Sequence, residues 1–202
     1  TPINSLGYGV VGKNLAIALS EFIDVCLIPD DLTMSGLETE EIEIIKTLTQ
    51  KFFYISFNRI AVCLGYGNMM YRFCGKKRIG YTIFETSEIY DDWKNQLKQL
   101  DSVWTFSQWG AEILKKNDIS AGIVPGGVNT KIFFVDTNLR KSVFNAPFFN
   151  FISIGKFEPR KNQELLIKAF CKTFNANDKV RLFAFWDNPF LKEDWRSIVN
   201  RL

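Results

Sequence analysis

FISIGKFEPRKNQELLIKAF, residues 151–170, is the stretch that decides the fold. Its first four residues form a short apolar run of strand length, and the run stops at Gly155. From Lys161 onward, apolar residues recur at helical spacing. The stretch therefore predicts a strand, a charged loop and a helix.

The loop of this stretch carries three cations, Lys156, Arg160 and Lys161. They lie at the predicted start of a helix, where the backbone dipole favours anions, so the cations need an anionic partner. A diphosphate is the first candidate, because open α/β sheets bind ligands outside the carboxyl ends of their strands. A solvated basic loop is the alternative, since charge runs often do no more than face water.

The same loop resembles the donor-site loop of family 4 glycosyltransferases, which are retaining enzymes of the GT-B fold. The shared features are Gly-Lys, an acidic-Pro turn, and Arg-Lys opening a helix that ends in Ala-Phe. In that family the basic residue after the glycine and the lysine of the Arg-Lys pair hold the diphosphate of a nucleotide sugar. The resemblance implies these roles for Lys156 and Lys161, with Gly155 and Arg160 also contributing to donor binding.

Residues 78–133 extend the resemblance, with a Gly-x-Thr-hydrophobic-x-Glu-Thr segment followed by further motifs in the order of that family. The matching positions are Gly80, Thr82, Glu85, Thr86, Trp93, Asp101, Trp104, Ser107, Pro125, Gly127, Val128 and Phe133. Asn129 stands where the family usually has Asp, and Gly126 where it often has His or Asn. The resemblance implies a donor-binding role for Gly127.

Glu85 follows a predicted strand at residues 78–84. Two roles suit a carboxylate at this place. It can orient an acceptor hydroxyl or a sugar, which would make Glu85 a catalytic residue, or it can accept backbone hydrogen bonds at the start of the next helix.

Residues 7–12 read GYGVVG, a G-x-G-x-x-G pattern followed by a helical pattern and by a predicted strand at residues 25–28. This order is typical of dinucleotide binding, so an NAD(P)-dependent oxidoreductase is an alternative function. Such an enzyme would use Gly7, Gly9, Gly12 and Asp30. Against it, residues 1–6 are too short and polar for the buried strand that the fingerprint needs. The glycosyltransferase resemblance implies instead that Gly9 lets backbone amides approach the donor phosphates or the acceptor, and a tight turn is the third interpretation.

The remaining patterns predict further strands and helices in alternation. The predicted strands are at 53–57, 60–64, 101–105, 121–124 and 179–186. The predicted helices are at 38–50, 89–100 and 107–116. A last helix is predicted near the end of the chain, with Leu191, Trp195 and Ile198 on one side. This alternation predicts an α/β fold with parallel sheets. With the resemblance, the expected architecture is GT-B, two Rossmann-like domains of which the second is truncated. The predicted domains are an acceptor-side domain at 1–135, a linker at 136–150 and the start of a nucleotide-sugar-binding domain at 151–202.

Composition narrows the function classes. A net charge of +3 is too mild to indicate nucleic-acid binding, and the lack of histidine excludes Ser-His-Asp triads, Cys-His dyads and His-based zinc sites. The four cysteines include no CxxC pair, which favours reduced thiols and a cytoplasmic protein. The chain starts with Thr1 and ends within a predicted helix, so we expect a fragment at both ends.

The resemblance implies transfer of a sugar from a nucleotide-diphosphate sugar to an acceptor hydroxyl with retention, the acceptor being a carbohydrate, a lipid-linked group or a protein. Basic residues would stabilise the leaving diphosphate, so neither a metal nor a further cofactor is expected. Enzymes of this type often touch a membrane surface, although no basic amphipathic helix here demands it. The family's pair of later glutamates has no counterpart in this chain, so we expect the piece alone to be inactive. A non-catalytic sugar- or partner-binding module of GT-B ancestry is the remaining alternative.

Overall fold

The computed structural model describes residues 1–144, 146–188, 190 and 197. The chain divides into two compact units, Thr1–Phe133 and Phe134–Leu202. The helix predicted near the end of the chain, with Leu191, Trp195 and Ile198, lies outside the described residues.

The first unit contains a four-stranded parallel sheet with its strands in chain order. The strands are β1 (Ile60–Leu64), β2 (Lys77–Thr82), β3 (Ser102–Thr105) and β4 (Ala121–Ile123). Parallel neighbours need crossover connections, and two of these contain helices, α3 (Asp91–Leu97) and α4 (Gln108–Lys115). Ser107 caps α4 as predicted, because its hydroxyl accepts the Gly110 N–H at 3.1 Å. The α/β class with a parallel sheet is confirmed.

Apolar side chains from the strands and the crossover helices form the main core of this unit. Its buried members are Cys63, Met70, Phe84, Ile89, Leu97, Val103, Ile113, Leu114 and Ile119. Gly80, in the middle of the sheet, lets the turn after α3 approach closely, since a Cβ there would lie 2.5 Å from Cδ1 of Leu100. The core thus fixes the loops that leave the carboxyl ends of the strands.

Two further helices, α1 and α2, pack around a second apolar cluster. They are α1 (Gly7–Ser20) and α2 (Thr39–Gln50). The buried cluster between them consists of Ile3, Ala16, Leu27, Ile45 and Leu48. Glu38 and Glu41 form a capping box at the start of α2, which confirms the helix predicted from the acidic first turn. Lys13 of α1 and Glu41 are joined by an ion pair of 2.6 Å.

Two predicted strands of the first unit are wrong. Residues 25–28 form no ladder, because the Leu27 N–H donates to the carbonyl of Leu48 instead, at 3.1 Å. Residues 53–57 contain the end of a 3₁₀ turn and irregular chain. Their apolar pattern resembled a buried strand, but the side chains of Phe53 and Tyr54 are 80% and 91% exposed. Local apolar content therefore gave a wrong strand prediction, because no neighbouring strand is available to pair with these residues.

The second unit is built on a two-stranded parallel sheet. Its elements are α5 (Thr137–Phe144), β5 (Phe149–Lys156), α6 (Gln163–Thr173) and β6 (Val180–Asp187). Helix α5 lies within the stretch predicted as a linker. The strand, loop and helix predicted from residues 151–170 are confirmed, and a 3₁₀ turn at Pro159–Lys161 precedes α6. The buried Trp186 holds strand β6 to β5 through a 2.9 Å hydrogen bond from its Nε1 to Ser153 Oγ.

None of the helices in the described part of the chain is long and apolar enough to cross a bilayer.

The glycines of GYGVVG lie inside α1 rather than in a loop before it. Gly9 is buried against the segment that precedes the helix, where a Cβ would lie 2.1 Å from Asn4 Oδ1 and 2.4 Å from the Asn4 backbone nitrogen. A Cβ at Gly12 would lie 2.5 Å from the Pro2 carbonyl oxygen. These two glycines are therefore required for the close approach of α1 to residues 1–4.

We expect Gly9→Ala to lower the free energy of unfolding by about 1–3 kcal/mol, because overpacking forces the backbone at Asn4 to move. Gly7→Ala is the matched control, since nothing lies within 4 Å of a Cβ at Gly7. The control should be neutral or stabilising, because alanine favours a helix over glycine by up to about 1 kcal/mol. Urea unfolding of both variants measures the difference, and equal midpoints would contradict the packing role of Gly9.

Candidate functional site

The loop between β5 and α6 contains an internal carboxylate, Glu158, that binds two of its three cations. One carboxylate oxygen lies 2.7 Å from Lys156 Nζ and the other lies 2.9 Å from Arg160 Nε. The hydrogen bond from Lys156, together with the charges of Arg160 and Lys161, lowers the pKa of the Glu158 carboxyl. The carboxyl is therefore ionised at neutral pH and is an anionic partner for two of the three loop cations.

Lys161 lies against the end of strand β5. Gly155 has a φ of +146°, a backbone conformation that residues other than glycine rarely adopt. A Cβ at Gly155 would lie 3.3 Å from Lys161 Nζ, so the glycine also leaves room for the ammonium group. Within the described ranges no carboxylate lies at ion-pair distance from Lys161, in contrast to Lys156 and Arg160. Lys161 is therefore the loop cation most available to an external anion.

Gln163, the first residue of α6, fixes the loop from the helix side. Its side chain is buried, with 5% of the residue exposed. Its Nε2 donates to the Lys156 carbonyl at 2.7 Å, and its Oε1 accepts the Glu158 N–H at 3.3 Å. Sequence patterns did not single out Gln163; the available signal was an amide side chain at a helix start, where unpaired backbone groups need partners.

A pocket of about 430 Å³ opens beside this loop. It is lined by Phe157, Glu158, Gln163 and Lys168, among others, but neither by Lys156 nor by Lys161. The pocket shares Glu158 with the ion pairs of the loop, but none of the three loop cations lines it.

The remaining predicted site residues lie in the first unit. Glu85 follows β2 and is exposed, and its charge acts on the hydroxyl of Tyr8, whose pKa is raised chiefly by burial and further by nearby groups that include Glu85. The Tyr8 hydroxyl accepts the Ile83 N–H at 3.0 Å and donates to the Ile83 carbonyl. Tyr8 precedes Gly9, so the structure brings the start of α1 and Glu85 to the same end of the sheet.

Gly127 lies in an exposed irregular segment after β4, and nothing is within 4 Å of a Cβ placed on it. No packing contact explains a glycine there. The predicted site residues thus form a group in the second unit and a separate set in the first. The former are Gly155, Lys156, Arg160 and Lys161, and the latter are Gly9, Glu85 and Gly127.

The residues of the dinucleotide alternative are not brought together in the way that its chemistry requires. Outside its four-stranded sheet, the described part of the first unit has an isolated parallel bridge between Ile3 and Leu32. Asp30 comes before Leu32 in one of the two bridged segments, and its carboxylate lies 2.5 Å from the amino group of Thr1. Gly7 comes after Ile3 in the other segment, so Asp30 and Gly7 lie on opposite sides of the bridge. A ribose-binding carboxylate must lie beside the glycine turn, so this arrangement disfavours a nicotinamide site.

Comparison with known proteins adds no relative: the sequence matches no model of a protein family, and no curated protein is significantly similar to it. Within the part of the chain that the structure describes, no group of three or more His, Cys, Asp or Glu side chains could hold a metal ion. The geometry of the described residues is therefore the basis for any functional assignment.

We expect Gln163→Ala to loosen the loop, because the Lys156 carbonyl and the Glu158 N–H both lose their partner. An unsatisfied buried group costs about 1–3 kcal/mol, so the urea midpoint should fall and the Glu158 amide should exchange its hydrogen faster. Glu164→Ala, a change at the exposed neighbouring residue, is the control. Unchanged hydrogen exchange in Gln163→Ala would show that the side chain does not hold the loop.

Proposed function

We propose that the protein is a glycosyltransferase that moves a sugar from a nucleotide-diphosphate sugar to an acceptor hydroxyl with retention. The observation that carries this proposal is the placement of Lys161 against Gly155, with Lys156 and Arg160 in the same loop. The two parallel sheets are compatible with two Rossmann-like domains, and we propose the GT-B arrangement for them.

The loop is suited to stabilise a leaving diphosphate. Three cations and one carboxylate give it a net charge of +2, from Lys156, Arg160 and Lys161 against Glu158. As the bond to the sugar breaks, negative charge grows on the diphosphate, and fixed cations stabilise that charge. Lys161 would bind it directly, and Gly155 would allow a phosphate oxygen to approach the backbone.

Lys156 and Arg160 would join the diphosphate by exchanging their contacts with Glu158. Both cations are partly exposed, at 37% and 62% of their side chains. Ion pairs at such exposure contribute about 0–1 kcal/mol, so the exchange costs little compared with binding a doubly charged group. The carboxylate would thus keep the cations in place before the donor arrives without competing strongly against it.

Residues of the first unit would act on the acceptor. We propose that Glu85 orients the acceptor hydroxyl, and the donor-binding roles that the resemblance implies for Gly9 and Gly127 stay predictions. The acceptor would be a carbohydrate, a lipid-linked group or a protein. We propose a cytoplasmic location, because all four cysteines are free and cytoplasmic proteins rarely contain disulfides.

The alternatives predict different results. An oxidoreductase would bind NADH, and the position of Asp30 disfavours it. A non-catalytic module of the same ancestry would bind the nucleotide or the sugar and would transfer nothing.

We expect UDP or GDP to bind the protein and Lys161→Ala to weaken that binding at least about tenfold, because a hydrogen bond from a charged group contributes about 1.5–3 kcal/mol. Lys172→Ala, which removes an equal charge from the last turn of α6, is the control and should bind like the unaltered chain. Isothermal titration calorimetry measures all three affinities. Equal weakening in both variants, or binding of NADH in place of the diphosphates, would contradict the assignment.

A further inference from the structure

Three half-exposed aromatic rings surround the carboxyl ends of the strands in the first unit. They belong to Tyr66, Tyr90 and Trp109, which are 48%, 64% and 45% exposed and are together named the aromatic platform. No element of the proposed diphosphate site uses them. Large rings left accessible in a group indicate a binding surface more often than a packing defect.

The platform is held by two inner rings, Trp93 and Phe84. Tyr66 and Tyr90 contact Trp93 with ring centroids 6.0 and 5.8 Å apart, and Trp109 contacts Phe84 at 5.8 Å. The two inner rings contact each other at 6.5 Å. All three outer rings therefore rest on one base, so little conformational freedom would be lost when a ligand binds.

Trp93 itself is fixed by the chain beneath it. A Cβ on Gly67 would lie 2.8 Å from Trp93 side-chain atoms, so the indole packs directly on the glycine backbone. Tyr66 is held from its other side by Tyr8, with ring centroids 4.7 Å apart. These contacts join segments far apart in sequence into one rigid surface.

The platform lies where a parallel sheet binds ligands. Tyr66 follows strand β1, Phe84 and Glu85 follow β2, and Trp109 lies in the helix after β3. Ligands of open α/β sheets bind outside these carboxyl ends.

The charges beside the rings define the ligand class. Residues 85–92 contain four carboxylates and no cation. One of them, Asp91, has an ion pair of 3.1 Å with Lys94, and the exposed Glu88 remains close to the platform in sequence. Such a surface repels phosphates, nucleic acids and anionic lipids, but it can accept hydrogen bonds from hydroxyl groups.

We propose that the aromatic platform binds a neutral carbohydrate, whose C–H faces stack on Tyr66, Tyr90 and Trp109 while its hydroxyls donate to Glu88. The inference that this carbohydrate is the sugar acceptor rests on the proposed function. The acceptor is then an oligosaccharide rather than a phosphorylated lipid, and the platform selects it by ring stacking.

The test titrates the full chain with maltotriose, cellotriose, mannotriose and N-acetylchitotriose, with tryptophan fluorescence and saturation-transfer NMR as readouts. At least one trisaccharide should bind, and Tyr66→Ala and Trp109→Ala should each weaken it about five- to tenfold, the range expected for loss of one aromatic contact. Phe52→Ala, which removes a ring that is also 48% exposed elsewhere in the first unit, should bind normally. Circular dichroism of each variant checks that it is folded, and Glu88→Gln provides a second variant that leaves the rings intact.

Failure of the platform and failure of the proposed function give different results. Trisaccharide binding without UDP or GDP binding would support carbohydrate binding by the platform. It would contradict the proposed function, and with it the role of the platform as an acceptor site. Diphosphate binding with no bound trisaccharide would overturn the platform while leaving the donor site intact. Ring variants that bind sugar like the unaltered chain would also overturn it, as would rings that instead bind a single-stranded oligonucleotide or form a dimer.

Discussion

Parallel pairing of strands places all their carboxyl ends at one edge of a sheet, and the chemistry of both units depends on this constraint. In the first unit it gathers the segments after β1, β2 and β3, with Glu85 and the aromatic platform among them. In the second unit it sets Lys156 beside Asp187, so the basic loop leaves from the end of the sheet. The residues of the first group are far apart in sequence, and the shared strand direction assembles them, whereas those of the basic loop are close together in the chain and share the sheet edge only with Asp187.

Electrostatics separates the two edges. The loop after β5 has an excess of cations, of which Glu158 binds two and leaves Lys161 for an external anion. The segment after β2 has an excess of carboxylates beside exposed rings. Under the proposed function, the first surface would bind the phosphate-bearing donor and the second a neutral, hydroxyl-rich acceptor. Loop rigidity supports both: Gln163 holds the basic loop, and Trp93 packed on Gly67 holds the rings.

Much of the fold could be predicted from the sequence because most of its elements have clear local signals. Apolar runs bounded by turns predicted β1 and β5, and the acidic first turn predicted α2. The prediction failed at residues 25–28 and 53–57, where apolar segments have no neighbouring strand to pair with, a fact decided by tertiary structure alone. The GYGVVG pattern was equally ambiguous, since only the position of Asn4 shows that Gly9 serves close packing.

The candidate site was predictable in its charges but not in its contacts. Three cations after a strand predicted an anion site, whereas the pairing of two of them with Glu158 and the two hydrogen bonds of Gln163 depend on side-chain geometry. The platform could not be predicted, because aromatic residues far apart in sequence more often meet in a core. Phe84 is buried beneath the platform, whereas Tyr66 is exposed on it, and only the folded chain shows that difference.

The proposed phosphate site lies at the loop after β5. The most direct measurement is a titration of the ¹⁵N-labelled chain with UDP and with GDP, followed by amide chemical shifts. We expect the largest shifts between Gly155 and Asn162, with Lys161 among them. Shifts confined to residues 7–12, at the start of α1, would contradict it and would place the nucleotide at the glycine-rich helix start instead.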